Sequence, residues 1–153
     1  MEVRLATLND VKQLCCLCTE FFAYNAALQP EYCKAAIADG KYPEVVIKDE
    51  KADMLIAIEN GIIVGFMHVI ESKTPPYESI VPHDYAEVVA FMVTASCRRK
   101  SVGTALMDAA KEWGRARNLD YIELTVLSNA KEANAFYERY GFDVKSHIMR
   151  CAL

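Results

Sequence analysis

Residues 87–93 read Glu-Val-Val-Ala-Phe-Met-Val, apolar at every position after the glutamate. A run of this length without alternation predicts a central strand buried on both faces, so layers of structure should flank a sheet. Thr94-Ala95-Ser96-Cys97 follows and leads into Arg98-Arg99-Lys100. Residues 103–117 then place Leu106, Ala109, Ala110 and Trp113 on one helical face. A strand that passes to a helix through a short basic loop exposes unpaired N–H groups at the helix start. These groups and the helix dipole attract phosphate oxygens. Arg98, Arg99 and Lys100 add positive charge there, although by themselves they fit a solvated basic turn equally well.

The other elements arrange themselves around that junction. Residues 2–6 read as a short strand, and Thr7 with Asp10 marks the start of a helix over Val11 to about Tyr24. A second helix is expected from Pro30 to Gly40, with proline in the first turn and glycine at the end. Residues 53–59 and 62–70 are strands joined by Asn60-Gly61, a strong hairpin signal. Pro75, Pro76 and Pro82 mark a loop over 72–83. Residues 121–127 form a strand, residues 130–140 a helix, and Gly141-Phe142 leads into a last strand. The order is β-α-α-β-β-β-α-β-α-β, an α/β (α+β) layered domain with a mixed central sheet and flanking helices.

Length and composition narrow the class. A chain of 153 residues fits one domain over 1–153 and can bury a real core. No window approaches the roughly 18 consecutive apolar residues of a membrane span, and no signal-peptide profile opens the chain. The expectations are therefore no membrane partner and a cytoplasmic location. The six cysteines, at 15, 16, 18, 33, 97 and 151, lack the paired spacing of a zinc site and read as buried, reduced thiols, with no metal. The net charge of −4 disfavours a nucleic-acid partner.

The segment Ser128-Asn129-Ala130-Lys131-Glu132-Ala133-Asn134-Ala135-Phe136-Tyr137-Glu138-Arg139-Tyr140-Gly141-Phe142 carries Ala133, Phe136, Tyr137 and Tyr140 on one stripe, which alone reads as core. Taken with the basic loop, it resembles the GNAT superfamily of N-acetyltransferases. The cofactor motif of that family, Q/R-x-x-G-x-G/A, is similar to Arg98-Arg99-Lys100-Ser101-Val102-Gly103. The family's C-terminal motif matches Asn129, Ala133, Phe136-Tyr137-Glu138 and Gly141-Phe142. Two departures stand out: Ser101 replaces the first motif glycine, and Asn129 lies one residue further from Tyr137 than in most relatives.

The resemblance implies a GNAT fold and acetyl-CoA as cosubstrate, with a small-molecule or peptide amine as acceptor. It places Phe91, Met92, Val93, Arg98, Arg99, Lys100, Ser101, Val102, Gly103, Thr104, Asn129 and Phe136 at the cofactor. A backbone N–H near Val93 would polarise the thioester, and Tyr137 would act as general acid to the CoA thiolate. Glu87 resembles the catalytic glutamate of the histone-acetyltransferase branch; the alternatives are His83, Asp84 or Tyr85 acting through water, or an acceptor that arrives already neutral. Acceptor specificity is expected from the first two helices and the 72–83 loop, with Tyr24, Tyr77 and Glu78 as candidates and Phe21 and Phe22 as core. Many members of the family are dimers, which leaves room for a homodimer. A non-catalytic acyl-CoA-binding or sensing domain on the same fold is the alternative.

Overall fold

The computed structural model describes residues Met1–Leu153. Five strands form one sheet in sequential order: β1 (Glu2–Leu5), β2 (Ala52–Glu59), β3 (Ile62–Lys73), β4 (Asp84–Val93) and β5 (Ile122–Leu124). The first four are antiparallel neighbours, and β5 runs parallel to β4. Helices α1 (Val11–Leu28) and α2 (Lys41–Lys48) pack on one face, and α3 (Val102–Ala116) packs on the other. Helix α4 (Lys131–Tyr140) adds Phe136, Tyr137 and Tyr140 to the α3 side. The layered mixed architecture agrees with the sequence reading.

The apolar run on β4 is not buried uniformly. Val69 pairs with Val88 and His68 with Ala90, so Val89 is the extra residue of a β-bulge and is 46% exposed. A bulge reverses which side chains face each layer. Before it, Ala86 and Val88 pack under α3; after it, Ala90 and Met92 pack under α1 while Phe91 and Val93 take the α3 side. The absence of alternation in the sequence thus comes from one phase shift, not from burial of every side chain.

Two expected elements differ. Residues 29–40 are irregular, and Gly40, at a left-handed φ of 90°, opens α2 instead of closing a helix. The stretch 31–39 offers no apolar stripe, and its Ile37 is exposed; Pro43 and Val46 are buried, with Tyr42 and Ile47 packed beside them. Pro43 sits in the first turn of α2, where a missing N–H costs nothing. After Gly141, the expected last strand makes no ladder, so the order ends at α4. The hairpin holds: Asn60 and Gly61 both have positive φ (53° and 78°), which a two-residue turn of the right twist requires.

Polar ties fix the layers. Asp10 accepts from Arg4 Nη1 and Nη2 at 2.8 and 2.9 Å, from Thr7 N at 2.8 Å and from Thr7 Oγ1 at 2.9 Å. The Arg4 guanidinium, helped by the Thr7 donors and opposed by burial, holds the Asp10 carboxyl well below the usual carboxylate range. On the opposite side, Asp53 accepts from Trp113 Nε1 at 2.7 Å and Arg117 Nη2 at 2.8 Å, joining β2 to the end of α3.

Asp10→Asn should destabilise the fold by about 1–2 kcal/mol at neutral pH, because it weakens charge-assisted hydrogen bonds to a nearly buried acceptor. The folded pKa of Asp10 is depressed, so its contribution is complete above the unfolded value of about 3.9 and is lost as pH falls below it. Urea titrations should show the difference between wild type and variant closing below about pH 4; a constant difference down to pH 2 would refute the assignment.

Candidate active site

The parallel ladder between β4 and β5 covers only Ala86–Val88 of β4, and the two strands part beyond the bulge. Thr94 N donates to Val64 O at 2.9 Å, which makes that opposed pair hydrogen-bonded. Antiparallel alternation then bonds Met92 and Ala90 to β3, while the N–H and C=O groups of Phe91 and Val93 point to the side β5 has left. The sheet is therefore split open at its centre, with backbone donors facing the gap.

That gap is the floor of a cleft of about 1190 Å³ between the end of β4, the start of α3 and one face of α4. Phe91, Met92, Val93, Arg98, Arg99, Ser101, Gly103, Thr104, Phe136 and Tyr137, all expected at the site, line it together. Lys100 is exposed on the loop and does not line it, and Val102 is buried in the core. Asn129 is also outside: its side-chain NH2 donates to Leu28 O at 2.7 Å and ties the β5–α4 loop to the end of α1.

One wall is the basic loop. A short 3₁₀ turn, Ala95–Cys97, precedes it, and Arg99 and Ser101 both adopt left-handed φ values of 59° and 63°. Ser101 is the residue before the first turn of α3, whose early N–H groups have no helical partner. Arg98 spans the cleft mouth: Nε donates to Val93 O at 3.2 Å, Nη1 reaches Glu132 at 3.3 Å, and the guanidinium lies 5.7 Å from the centre of the Tyr24 ring. The absence of a side chain at Gly103 has a packing reason. A Cβ there would stand 3.3 Å from Phe91 Cζ and 3.4 Å from Phe136 Cε2, so glycine lets both rings lie against α3.

The opposite wall is α4. Phe136 and Tyr137 pack on Phe91 with ring centres 5.8 and 6.3 Å away. Burial, with a smaller push from the neighbouring Tyr24, raises the Tyr137 phenol above its ordinary pKa. Its O–H therefore stays protonated through neutral and mildly alkaline pH.

Glu87 lies away from this cleft, below the bulge on the α1–α2 side of the sheet, where Ser72 Oγ donates to its Oε2 at 2.8 Å. His68 shares that face, is nearly buried, and meets Tyr42 Oη at Nδ1 over 2.8 Å. Burial lowers the His68 pKa, against the raising charges of Asp49 and Glu87. Among the alternative bases, His83 pairs with Asp120 at 2.7 Å, Asp84 pairs with Lys73, and Tyr85 stacks on Tyr121 at 5.0 Å. Phe21 and Phe22 are core, whereas Tyr24 faces the cleft and Tyr77 is exposed.

Sequence reasoning missed the rest of the cleft face of α4: the charged Lys131, Glu132 and Arg139, with Ala135 between them, also line the cleft. Their signal was present as spacing, since 131, 135 and 139 recur at helical period beside the Phe136–Tyr137 stripe.

Comparison with known proteins gives this geometry a context. The model of the Acetyltransferase (GNAT) family matches residues 14–142. The chain is 32% identical over 76 residues to the uncharacterized N-acetyltransferase YhdJ of Bacillus subtilis (strain 168), covering 49% of this chain and 54% of that one. It spans about half the length of the curated relatives it matches. The fold is similar to that of a tetramutant of the BH1408 protein from Bacillus halodurans, with TM-score 0.93, 19% identity, and 100% of both chains covered. It is also similar to the aminoglycoside N-acetyltransferase AAC(6')-Iy in complex with CoA, with TM-score 0.74, 13% identity, and 99% and 98% covered.

The left-handed backbone at Ser101 predicts that Ser101→Gly stabilises the protein. A non-glycine residue in that region costs about 1–2 kcal/mol, partly offset by the greater freedom of glycine when unfolded. A net gain of about 0.5–1 kcal/mol is expected, visible as a melting temperature roughly 2 °C higher. An unchanged or lower melting temperature would rule out this account of the loop.

Proposed function

The chain belongs to the acetyltransferase (GNAT) family, and we propose that it transfers the acetyl group of acetyl-CoA to a primary amine of a small molecule or peptide. One observation carries the reading: the cleft lies where β4 and β5 part, with free backbone donors at its floor and a basic helix start at its rim. Those features suit a ligand with a thioester at one end and a pyrophosphate at the other. The rim donors of α3 and the Arg98–Ser101 loop favour phosphate oxygens. A fold neighbour described in complex with CoA supports the same class of ligand.

Bound acetyl-CoA would supply an activated acyl carbon and a thiolate leaving group. In this reading the N–H groups of Phe91 and Val93 would stabilise negative charge that builds on the acyl oxygen as the amine attacks. They are fixed by the sheet, so no reorganisation is needed at the moment of reaction. Val93 O is already engaged by Arg98, which keeps that peptide oriented.

Two proton transfers remain. An alkylammonium acceptor, with an ordinary pKa of about 10.4, must lose a proton before it can attack. Glu87 is our candidate base, oriented by Ser72 and acting from the face opposite α3. Because it does not line the cleft, transfer would run through the acceptor or a water at the bulge. Tyr137 holds the proton for the departing sulfur. The thiolate of a thiol with a pKa of about 8.5 is a weaker base than a phenolate, but burial in the same apolar cleft would raise the pKa of the thiol as well and narrow the difference.

A non-catalytic acyl-CoA sensor remains the competing reading, favoured by Ser101 in place of glycine. Calorimetric titration with acetyl-CoA, beside turnover assays on a panel of amines, separates the two. Tyr137→Phe should lower kcat by about 10²-fold or more while leaving the acetyl-CoA Kd within about two-fold. Glu87→Gln should remove the acidic limb of the kcat/KM profile. Saturable binding without turnover on any amine would favour the sensor, and absence of binding would refute both readings.

A further inference from the structure

A second hollow, of about 460 Å³, lies on the α1 side of the sheet and shares no lining residue with the cleft. Its walls come from three places. Helix α1 supplies Gln13, Cys16, Leu17 and Glu20, which fall on one face at a spacing of i, i+3, i+4 and i+7. The β2–β3 hairpin supplies Glu59, Ile63 and Val64, and the turn after β4 supplies Thr94, Ser96 and Cys97. Polar ties hold these walls in place. Ile63 N donates to Gln13 Oε1 at 3.0 Å, which clamps α1 to the hairpin, and Thr94 N donates to Val64 O at 2.9 Å.

The charges inside the hollow are unbalanced. Glu20 and Glu59 are its only charged lining residues, and neither takes part in an ion pair. Glu59 is half-buried, and the one hydrogen bond it accepts, from Cys97 Sγ, is long at 3.7 Å and comes from a weak donor. A carboxylate withdrawn from water without a cation beside it costs free energy, which a positively charged ligand would recover. Leu17, Ile63 and Val64 give the ligand an apolar wall, and Thr94 and Ser96 add hydroxyl acceptors. The volume falls in the range of small-molecule sites, which combine apolar walls with a few polar groups. The complement of this lining is an ammonium group on a hydrocarbon body.

We propose that this hollow binds an organic primary ammonium with an apolar body, and that the bound cation braces the loop at the cleft rim. The position is distinct from that of the acetyl acceptor. Thr94 stands seven residues beyond Glu87 along the chain, roughly 23 Å of extended strand. Two connections lead from the hollow to the rim. Cys97 lines the hollow, is buried in the α3 core and directly precedes Arg98. Glu20 lies one helical turn before Tyr24, and the Arg98 guanidinium sits 5.7 Å from the centre of the Tyr24 ring. A ligand held between Glu20, Glu59 and the Thr94–Cys97 turn therefore ties α1 and the hairpin to the segment that leads into Arg99 and Ser101, both at left-handed φ. Contacts made only with the ordered shape of that turn shift the loop toward it.

Titration of the full chain with n-hexylammonium, followed by backbone amide chemical shifts, tests this with no cofactor present. The probe is a cation at neutral pH, its ordinary pKa being about 10.4. 1-Hexanol carries the same body without the charge, and methylammonium the charge without the body. Saturable shifts are expected in residues 59–64 and 94–97, with a dissociation constant of about 1 mM or below and at least about ten-fold weaker binding of either control. Glu59→Gln should weaken binding about ten-fold. Cys16→Trp, at a position that is exposed and not buried as the cysteine pattern suggested, should block it by filling the hollow. At saturation the amides of residues 98–102 should exchange at least about three-fold more slowly. The site is refuted by the absence of shifts at about 10 mM probe, by equal binding of 1-hexanol, or by indifference to both substitutions. Shifts centred on residues 85–89 would place the amine at the proposed acceptor position and refute it as well. Saturation with unchanged exchange at 98–102 would overturn the bracing. Neither acetyl-CoA nor turnover enters the measurement, so its outcome is independent of the acetyltransferase reading.

Discussion

Everything at the candidate site depends on how β4 loses its partner. A strand inside a sheet normally satisfies backbone groups on both sides, and leaving them unpaired in a buried setting costs free energy. β4 escapes that arrangement through the bulge at Val89 and the end of the β5 ladder at Val88. The N–H groups of Phe91 and Val93 are then held by β3 from behind and left unpaired in front, while Val93 O accepts from Arg98. A ligand that offers an acceptor oxygen at that point completes the sheet's own hydrogen bonding. An affinity for such an oxygen would thus be a property of the backbone, with side chains shaping the cleft around it.

The bulge also divides labour between the two faces. Before it, Glu87 and Tyr85 look toward the α1–α2 layer; after it, Phe91 and Val93 look toward α3 and α4. One strand therefore presents its candidate base to one side and its cleft floor to the other. The polar groups of the α1–α2 side are kept quiet by their partners. His68 is buried against the Tyr42 hydroxyl and held toward its neutral form, so Glu87 and the charges around it dominate the field there.

The same bulge explains what could and could not be read from the amino-acid order. Residues 87–93 announce a buried strand, but a one-residue phase shift looks like unbroken hydrophobicity, and the alternation on either side of Val89 is visible only once pairing is known. The Arg98–Gly103 loop and the Phe136–Tyr137 stripe were legible because their chemistry is local: a basic helix start and an apolar face at helical spacing. Gly40 misleads because glycine at a left-handed φ can precede a helix as well as end one, and only the burial of Pro43 and Val46 shows which. The strand expected after Gly141 has the right pattern and no partner within the chain, since alternation reports an extended preference and says nothing about which edge satisfies it. Asn129 matched a motif but is occupied by Leu28, a contact between residues 101 apart in the chain that no local pattern encodes.

Backbone strain is concentrated where the ligand would meet the chain. Of the four non-glycine residues at positive φ, Arg99 and Ser101 lie in the loop at the cleft rim, and each such conformation costs roughly 1–2 kcal/mol. Loops relax unless their ends are fixed, and here both ends are: Cys97 and Val102 are buried in the α3 core on either side of the strained pair. The core therefore enforces a shape that the loop sequence would not choose. A glycine at 101 would adopt that shape freely, whereas serine keeps it only under the tension of the packing around it. It follows that the stability of the α3 core and the geometry of the loop at the cleft rim are coupled. Substitutions that loosen Cys97 or Val102 would blunt the rim of the cleft without touching any residue that lines it.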